Sequence, residues 1–191
     1  MTRLIILGDE LVAGSGDERG LGWVGRAVAR TEFTSDTHVI TLPVPGENTS
    51  QLAERWNREV QLRLPDDDEP VFAAIGLGVA DITAGISTAR TRLNLANVLD
   101  GLYNLGISTM LVGPPPLPTV DTNSLRSLNK VAKEVAQRRN IPWINTYDPL
   151  VNHEQWSQEF SSRDSHLPSQ TCYGLLAWLV LHEGWYEWLA S

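Results

Sequence analysis

Five short apolar runs, at residues 3–8, 38–42, 71–76, 108–113 and 142–145, alternate with longer helix-like segments along the whole chain. Each run is nearly all apolar rather than alternating, which suits strands covered on both faces. Helical patterning is predicted over 22–31, 49–64, 89–105, 124–139 and 169–189. Two of these segments carry readable start signals, Asn48-Thr49-Ser50 and Asp121-Thr122-Asn123-Ser124, whose side-chain oxygens can accept from free helix amides. Five βα units in succession imply an α/β fold with three layers, α/β/α, around a parallel sheet, because right-handed crossovers leave few other arrangements. No Gly/Ser-rich or Pro-rich linker interrupts the alternation, so residues 1–191 are read as a single domain.

Charge and cysteine usage remove several classes of function. Fifteen basic residues stand against 23 acidic ones, a net charge of −8, and only two of the basic residues are Lys. No basic tract is present to neutralise phosphates, so nucleic acid is excluded as a partner. Cys172 has no intramolecular partner, which excludes a disulfide scaffold and any CxxC motif; early in the last helix it reads as a small buried hydrophobe. Leu4-Ile5-Ile6-Leu7 is too short for a signal-peptide core, and a cytoplasmic location is expected. The run at 175–181 falls short of the ~20 residues a membrane span requires. The acidic stretch 65–70 reads as an exposed turn rather than a cation site. Trp178, Trp185, Tyr186 and Trp188 crowd the C-terminal segment, and Trp185 and Trp188 are candidates for a homodimer contact.

The expected sheet is flavodoxin-like, with strand order 2-1-3-4-5, and its ligand crevice lies at the carboxyl ends of the first and third strands, where the order reverses. That directs attention to Gly8-Asp9-Glu10-Leu11 and to Gly76-Leu77-Gly78-Val79-Ala80-Asp81. The first of these segments, extended to Gly14, resembles the opening block of the SGNH, or GDSL, hydrolases, a family of esterases, lipases and thioesterases. Glu10 stands where that family has its nucleophilic serine. Val44-Pro45-Gly46-Glu47-Asn48-Thr49 resembles the second block, in which Gly46 matches the glycine that gives an amide to the oxyanion hole. Gly78-Val79-Ala80-Asp81 resembles the third, with Ala80 in place of an asparagine that would be the other oxyanion donor. Arg163-Asp164-Ser165-His166-Leu167-Pro168 resembles the last, an Asp-x-x-His-Pro block. With Asp164 and Pro168 in register, Leu167 takes the histidine position and His166 falls one residue early.

The resemblance implies hydrolysis of a small acyl ester or carbohydrate ester, and the departures imply a degenerate site. A serine esterase needs an activated hydroxyl, a base within reach and donors aimed at the developing oxyanion. Glu10, with His166 oriented by Asp164, is the candidate catalytic set, and Gly46, Gly78 and Ala80 are the candidate oxyanion and substrate positions. Asp9 and Asp81 are expected to organise the loops through backbone hydrogen bonds. The alternatives are a catalytically inactive binding or regulatory module using the same crevice, or Glu10 as a general base on water. Asp9, Glu10, Asp81, Asp164 and His166 have no metal-ligand spacing, so no metal and no cofactor is assigned.

Overall fold

The computed structural model describes residues 1–66 and 69–191; Asp67 and Asp68, within the acidic stretch, lie outside the described residues. In chain order the first half is β1 (Thr2–Gly8), α1 (Glu10–Ala13), α2 (Gly22–Val28), β2 (Thr37–Pro43), α3 (Thr49–Gln61), β3 (Val71–Gly76) and α4 (Ala80–Thr83). The second half is α5 (Thr88–Asn104), β4 (Ser108–Val112), α6 (Thr122–Gln137), β5 (Trp143–Ile144), α7 (Tyr147–Leu150), α8 (Glu154–Ser161), α9 (Gln170–Val180) and α10 (Tyr186–Leu189). The five strands form one all-parallel sheet in the order β2-β1-β3-β4-β5.

Pleating divides the apolar runs between two cores, because successive side chains leave opposite faces of a strand. Leu4, Ile6, Phe72 and Met110 pack with Trp23 of α2 and with Tyr173 and Leu176 of α9. Ile5, Leu7, Ile75 and Leu111 pack on the other side with Leu52 of α3, Leu99 of α5 and Val135 of α6. Leu4, Ile5, Ile6 and Leu7 are all fully buried, as a central strand covered on both sides requires. β2 differs from its sequence reading: it pairs only with β1, and its residues are half-buried or exposed. As an edge strand it has neighbours on one side only.

The helix starts follow the capping chemistry. Asn48 accepts from the Ser50 and Gln51 amides, and the Gln51 side chain returns to the Asn48 N–H, a reciprocal capping box. Asp121 caps α6 through the Asn123 and Ser124 amides.

The last helix is not the continuous segment that its patterning predicts. α9 gives way to a π-turn over Leu181–Trp185, and Gly184 takes φ 135, a conformation that an L side chain rarely adopts. That turn, followed by α10, accompanies burial of Trp185 and Trp188 in the chain's own core. Trp188 meets Phe72 edge-on with ring centroids 5.4 Å apart, and the Trp185 Nε1–H donates to Thr31 Oγ1 at 2.8 Å. The dimer contact expected through these two residues is therefore corrected: both are internal, and the aromatics exposed on this segment are Trp178 and Tyr186. Cys172 is fully buried. No helix among the described residues is long and apolar enough to cross a membrane.

Candidate functional site

Gly8 and Gly76 end β1 and β3 in register with each other, and a Cβ on either would overlap its neighbours. The two strands therefore finish side by side with bare backbone between them, which brings the one-turn helices α1 and α4 together. Asp9 caps α1, its Oδ1 accepting from the Leu11 amide at 3.0 Å. Its other oxygen, Oδ2, stands over Gly78, where a Cβ would collide with it, and finds no hydrogen-bond partner among the described residues. Burial, reinforced by the negative charge of Glu10, pushes the Asp9 carboxyl up to about 8, so it carries a proton at neutral pH.

Glu10 is the first residue of α1 and is half-buried. Its Oε2 accepts from the Gly46 amide at 2.6 Å, across a sequence separation of 36 residues. The loop carrying Gly46 is anchored twice. The Val44 amide donates to the Gly8 carbonyl at 2.8 Å, and Glu47 pairs with Arg55, which also donates to the Leu42 carbonyl at 2.8 Å. The Gly46 N–H, matched by resemblance to an oxyanion donor, is thus occupied by the chain's own carboxylate.

Asp81 joins the Gly46 loop to the third strand. It accepts from the Thr49 amide at 2.6 Å, from Thr49 Oγ1 at 2.7 Å and from Thr91 Oγ1, all in a buried setting. Asn94 extends the network by donating to Thr49 Oγ1 and Ser50 Oγ. Hydrogen bonds to a charged acceptor typically contribute ~1.5–3 kcal/mol each, so this network holds the start of α3 against α4 and α5. Thr91 and Asn94 escaped the sequence reading, although their i, i+3 spacing on one face of α5 is a signal. Asp17 also escaped it: the Arg26 guanidinium beside it holds its carboxyl down to about 2, and it accepts from the Gly22 amide at 2.9 Å.

The segment carrying Asp164 and His166 lies against the loop after α1. Arg163 donates to the Gly16 carbonyl at 3.3 Å, and Leu167 packs on Gly16 so closely that a Cβ there would clash. Both Asp164 and His166 are exposed, and among the described residues neither forms an ion pair. From below, the Tyr173 hydroxyl donates to the Ser15 carbonyl at 2.8 Å. The structure thus brings together Asp9, Glu10, Gly46, Gly78, Ala80 and Asp81, and leaves Asp164 and His166 on the surface. Among the described residues no group of three or more His, Cys, Asp and Glu side chains could hold a metal ion.

Two small cavities reach this corner. One of about 20 Å³ is lined by Asp9, Gly78, Ala80 and Asp81 among others, and one of about 10 Å³ lies by Trp23 and Leu176. A cavity of about 680 Å³ opens at the amino ends of β4 and β5, beside Ile107, Arg138 and Trp188, and shares no residue with the corner.

Comparison with known proteins agrees with the architecture. The search of curated proteins found no match. Among solved structures, a lipase/acylhydrolase from Enterococcus faecalis is 26% identical, with 98% of this chain and 97% of that one covered and a TM-score of 0.77. Axe2, an acetylxylan esterase from Geobacillus stearothermophilus, is 17% identical over 97% and 95% of the two chains, with a TM-score of 0.78. The psychrotrophic esterase EstA from Pseudoalteromonas sp., in a structure inhibited by monoethylphosphonate, is 18% identical over 99% of each chain, with a TM-score of 0.76. The latter two likenesses speak to the fold alone. The sequence model of the GDSL-like lipase/acylhydrolase family matches residues 6–175, most of the chain, and the protein belongs to that family.

Proposed function

We propose that this protein is a family member that has given up serine-type acyl transfer and uses the crevice to bind, rather than cleave, a small acyl or carbohydrate ester. The observation that carries this reading is the 2.6 Å hydrogen bond from the Gly46 amide to Glu10 Oε2. An oxyanion hole works by offering donors where negative charge develops in the transition state. Here a formal negative charge already sits on the donor before any ligand arrives. Ala80 supplies no side-chain donor to replace it, and exposed His166 has, among the described residues, no carboxylate partner to orient it as a base.

The losses fall on separate parts of the chemistry. Removing an oxyanion donor typically costs ~10²–10³ in turnover, and removing a triad nucleophile can cost ~10⁶. They do not multiply, yet loss of the nucleophile alone leaves only the ~10³–10⁴ over water that binding and the oxyanion donors supply. The scaffold around the loops is meanwhile intact: Asp81, Thr49, Thr91 and Asn94 still fix the crevice walls to one another.

Incubation with p-nitrophenyl acetate and butyrate is expected to release nitrophenol no faster than buffer does. An acetylated xylose is expected to raise the melting temperature while remaining chemically unchanged; a ligand at 100 times its Kd stabilises by about 2.7 kcal/mol. Efficient hydrolysis abolished by Glu10→Ala would overturn the proposal and establish Glu10 as a catalytic carboxylate.

A further inference from the structure

Behind Glu10 the molecule contains a buried carboxyl oxygen with no partner and a chamber beside it. Asp9 is 1% exposed, and its Oδ2 is among the buried side-chain atoms that no described residue satisfies. The adjoining chamber, about 20 Å³, is lined by both Asp9 and Gly78, the residue over which Oδ2 stands. A polar cavity needs roughly 10–15 Å³ of such space to hold one water, and that water needs two to four polar partners. Further partners lie in the wall: among the described residues no side chain caps α4, so its first amides, at Ala80 and Asp81, have no side-chain acceptor. Ala80, itself in the wall, ends at Cβ and contributes nothing polar beyond its backbone.

We propose that this chamber is a binding site for a single water molecule, held between Asp9 Oδ2 and the uncapped start of α4, and that it exists because Ala80 is too short to fill it. The water makes Asp9 a positioning residue: the Oδ2–H donates to it, and a neutral Asp9 places no second negative charge beside the Glu10 carboxylate that accepts from Gly46. A buried carboxyl without a partner keeps its full desolvation cost, which is the drive to recruit the water. The groups facing Asp9 are Glu10 on its own helix, Glu47 paired with Arg55 on the Gly46 side, Asp81 across the chamber, and Tyr173 beneath. Burial first, and then the charges of Glu10 and Glu47, favour the protonated form. The proposal does not depend on whether the crevice turns over its ligand.

A high-resolution crystal structure of the full chain is expected to show one ordered water within hydrogen-bond distance of Asp9 Oδ2; a dry chamber overturns the site. Carboxyl-carbon NMR of the wild type and Ala80→Asn gives a second readout. The asparagine amide is expected to take the water's place and donate to Asp9, moving the Asp9 titration midpoint down by at least tenfold in proton affinity. An unchanged midpoint in folded Ala80→Asn overturns the proposal. Should that variant not fold, the water and the titration of the wild type decide it alone.

Discussion

Glu10→Ser alone is expected to leave ester hydrolysis within about tenfold of the wild type, whereas Glu10→Ser combined with Ala80→Asn gains a further factor of ~10². The single exchange frees the Gly46 amide and installs a hydroxyl, but that hydroxyl has no base, because His166 and Asp164 are exposed. A carboxamide at position 80 has two N–H donors, so one can reach Asp9 while the other restores the second oxyanion donor. General-base assistance is worth ~10²–10⁴, and the double variant stays below a working esterase by about that amount. The measurement is kcat/KM for p-nitrophenyl acetate. If Glu10→Ser alone reaches ~10⁴ M⁻¹ s⁻¹ or more, the range of proficient enzymes, His166 enters the crevice and the account of the missing base is wrong.

The protein is expected to become less stable as pH rises from about 4 to 8, against the usual trend for a chain of acidic pI. Asp9 sits at about 8 when folded and 3.8 when unfolded, so over that interval the native state binds the extra proton. The stability this confers is fully present below 3.8 and is lost as pH climbs toward 8, at up to about 1.4 kcal/mol per pH unit. Asp17 acts at the other end: held at about 2 by Arg26, its contribution is present above 3.8 and lost as pH falls toward 2. The joint contribution of these two groups is therefore largest between the two windows, near pH 4. Asp9→Asn should abolish the alkaline slope, because its carboxamide can still accept from Leu11 and can donate where the protonated carboxyl does. Urea unfolding at pH 5 and pH 8 checks this. A wild type equally stable at both, and indistinguishable from Asp9→Asn in its slope, would show that Asp9 is ionised in the native state.

Much of the fold was legible because strand burial writes itself directly into sequence. The runs at 3–8 and 71–76 are apolar at successive positions, and only a strand covered on both faces tolerates that. The capped starts of α3 and α6 were readable because Asn48 and Asp121 act within their own helices. The one-turn helices α1 and α4 were not, since four residues carry too little periodicity, and the break at Gly184 is a single residue inside an otherwise helical pattern. At the site, sequence order directed attention to Glu10, Gly46 and Ala80 at the carboxyl ends of the strands. It could not show that Glu10 reaches Gly46, because that bond closes over 36 residues and depends on the Gly8–Val44 anchor. Nor could it show which way a loop histidine faces, which is set by the seat of Leu167 on Gly16.

The central claim is that a carboxylate, not a nucleophile, occupies the Gly46 donor. Intact-mass analysis after incubation with a reactive alkyl fluorophosphonate tests it most directly, since such reagents phosphonylate an activated serine and leave a mass increase that survives isolation. The wild-type chain is expected to keep its unmodified mass. A stoichiometric adduct would mean that an activated nucleophile is present after all.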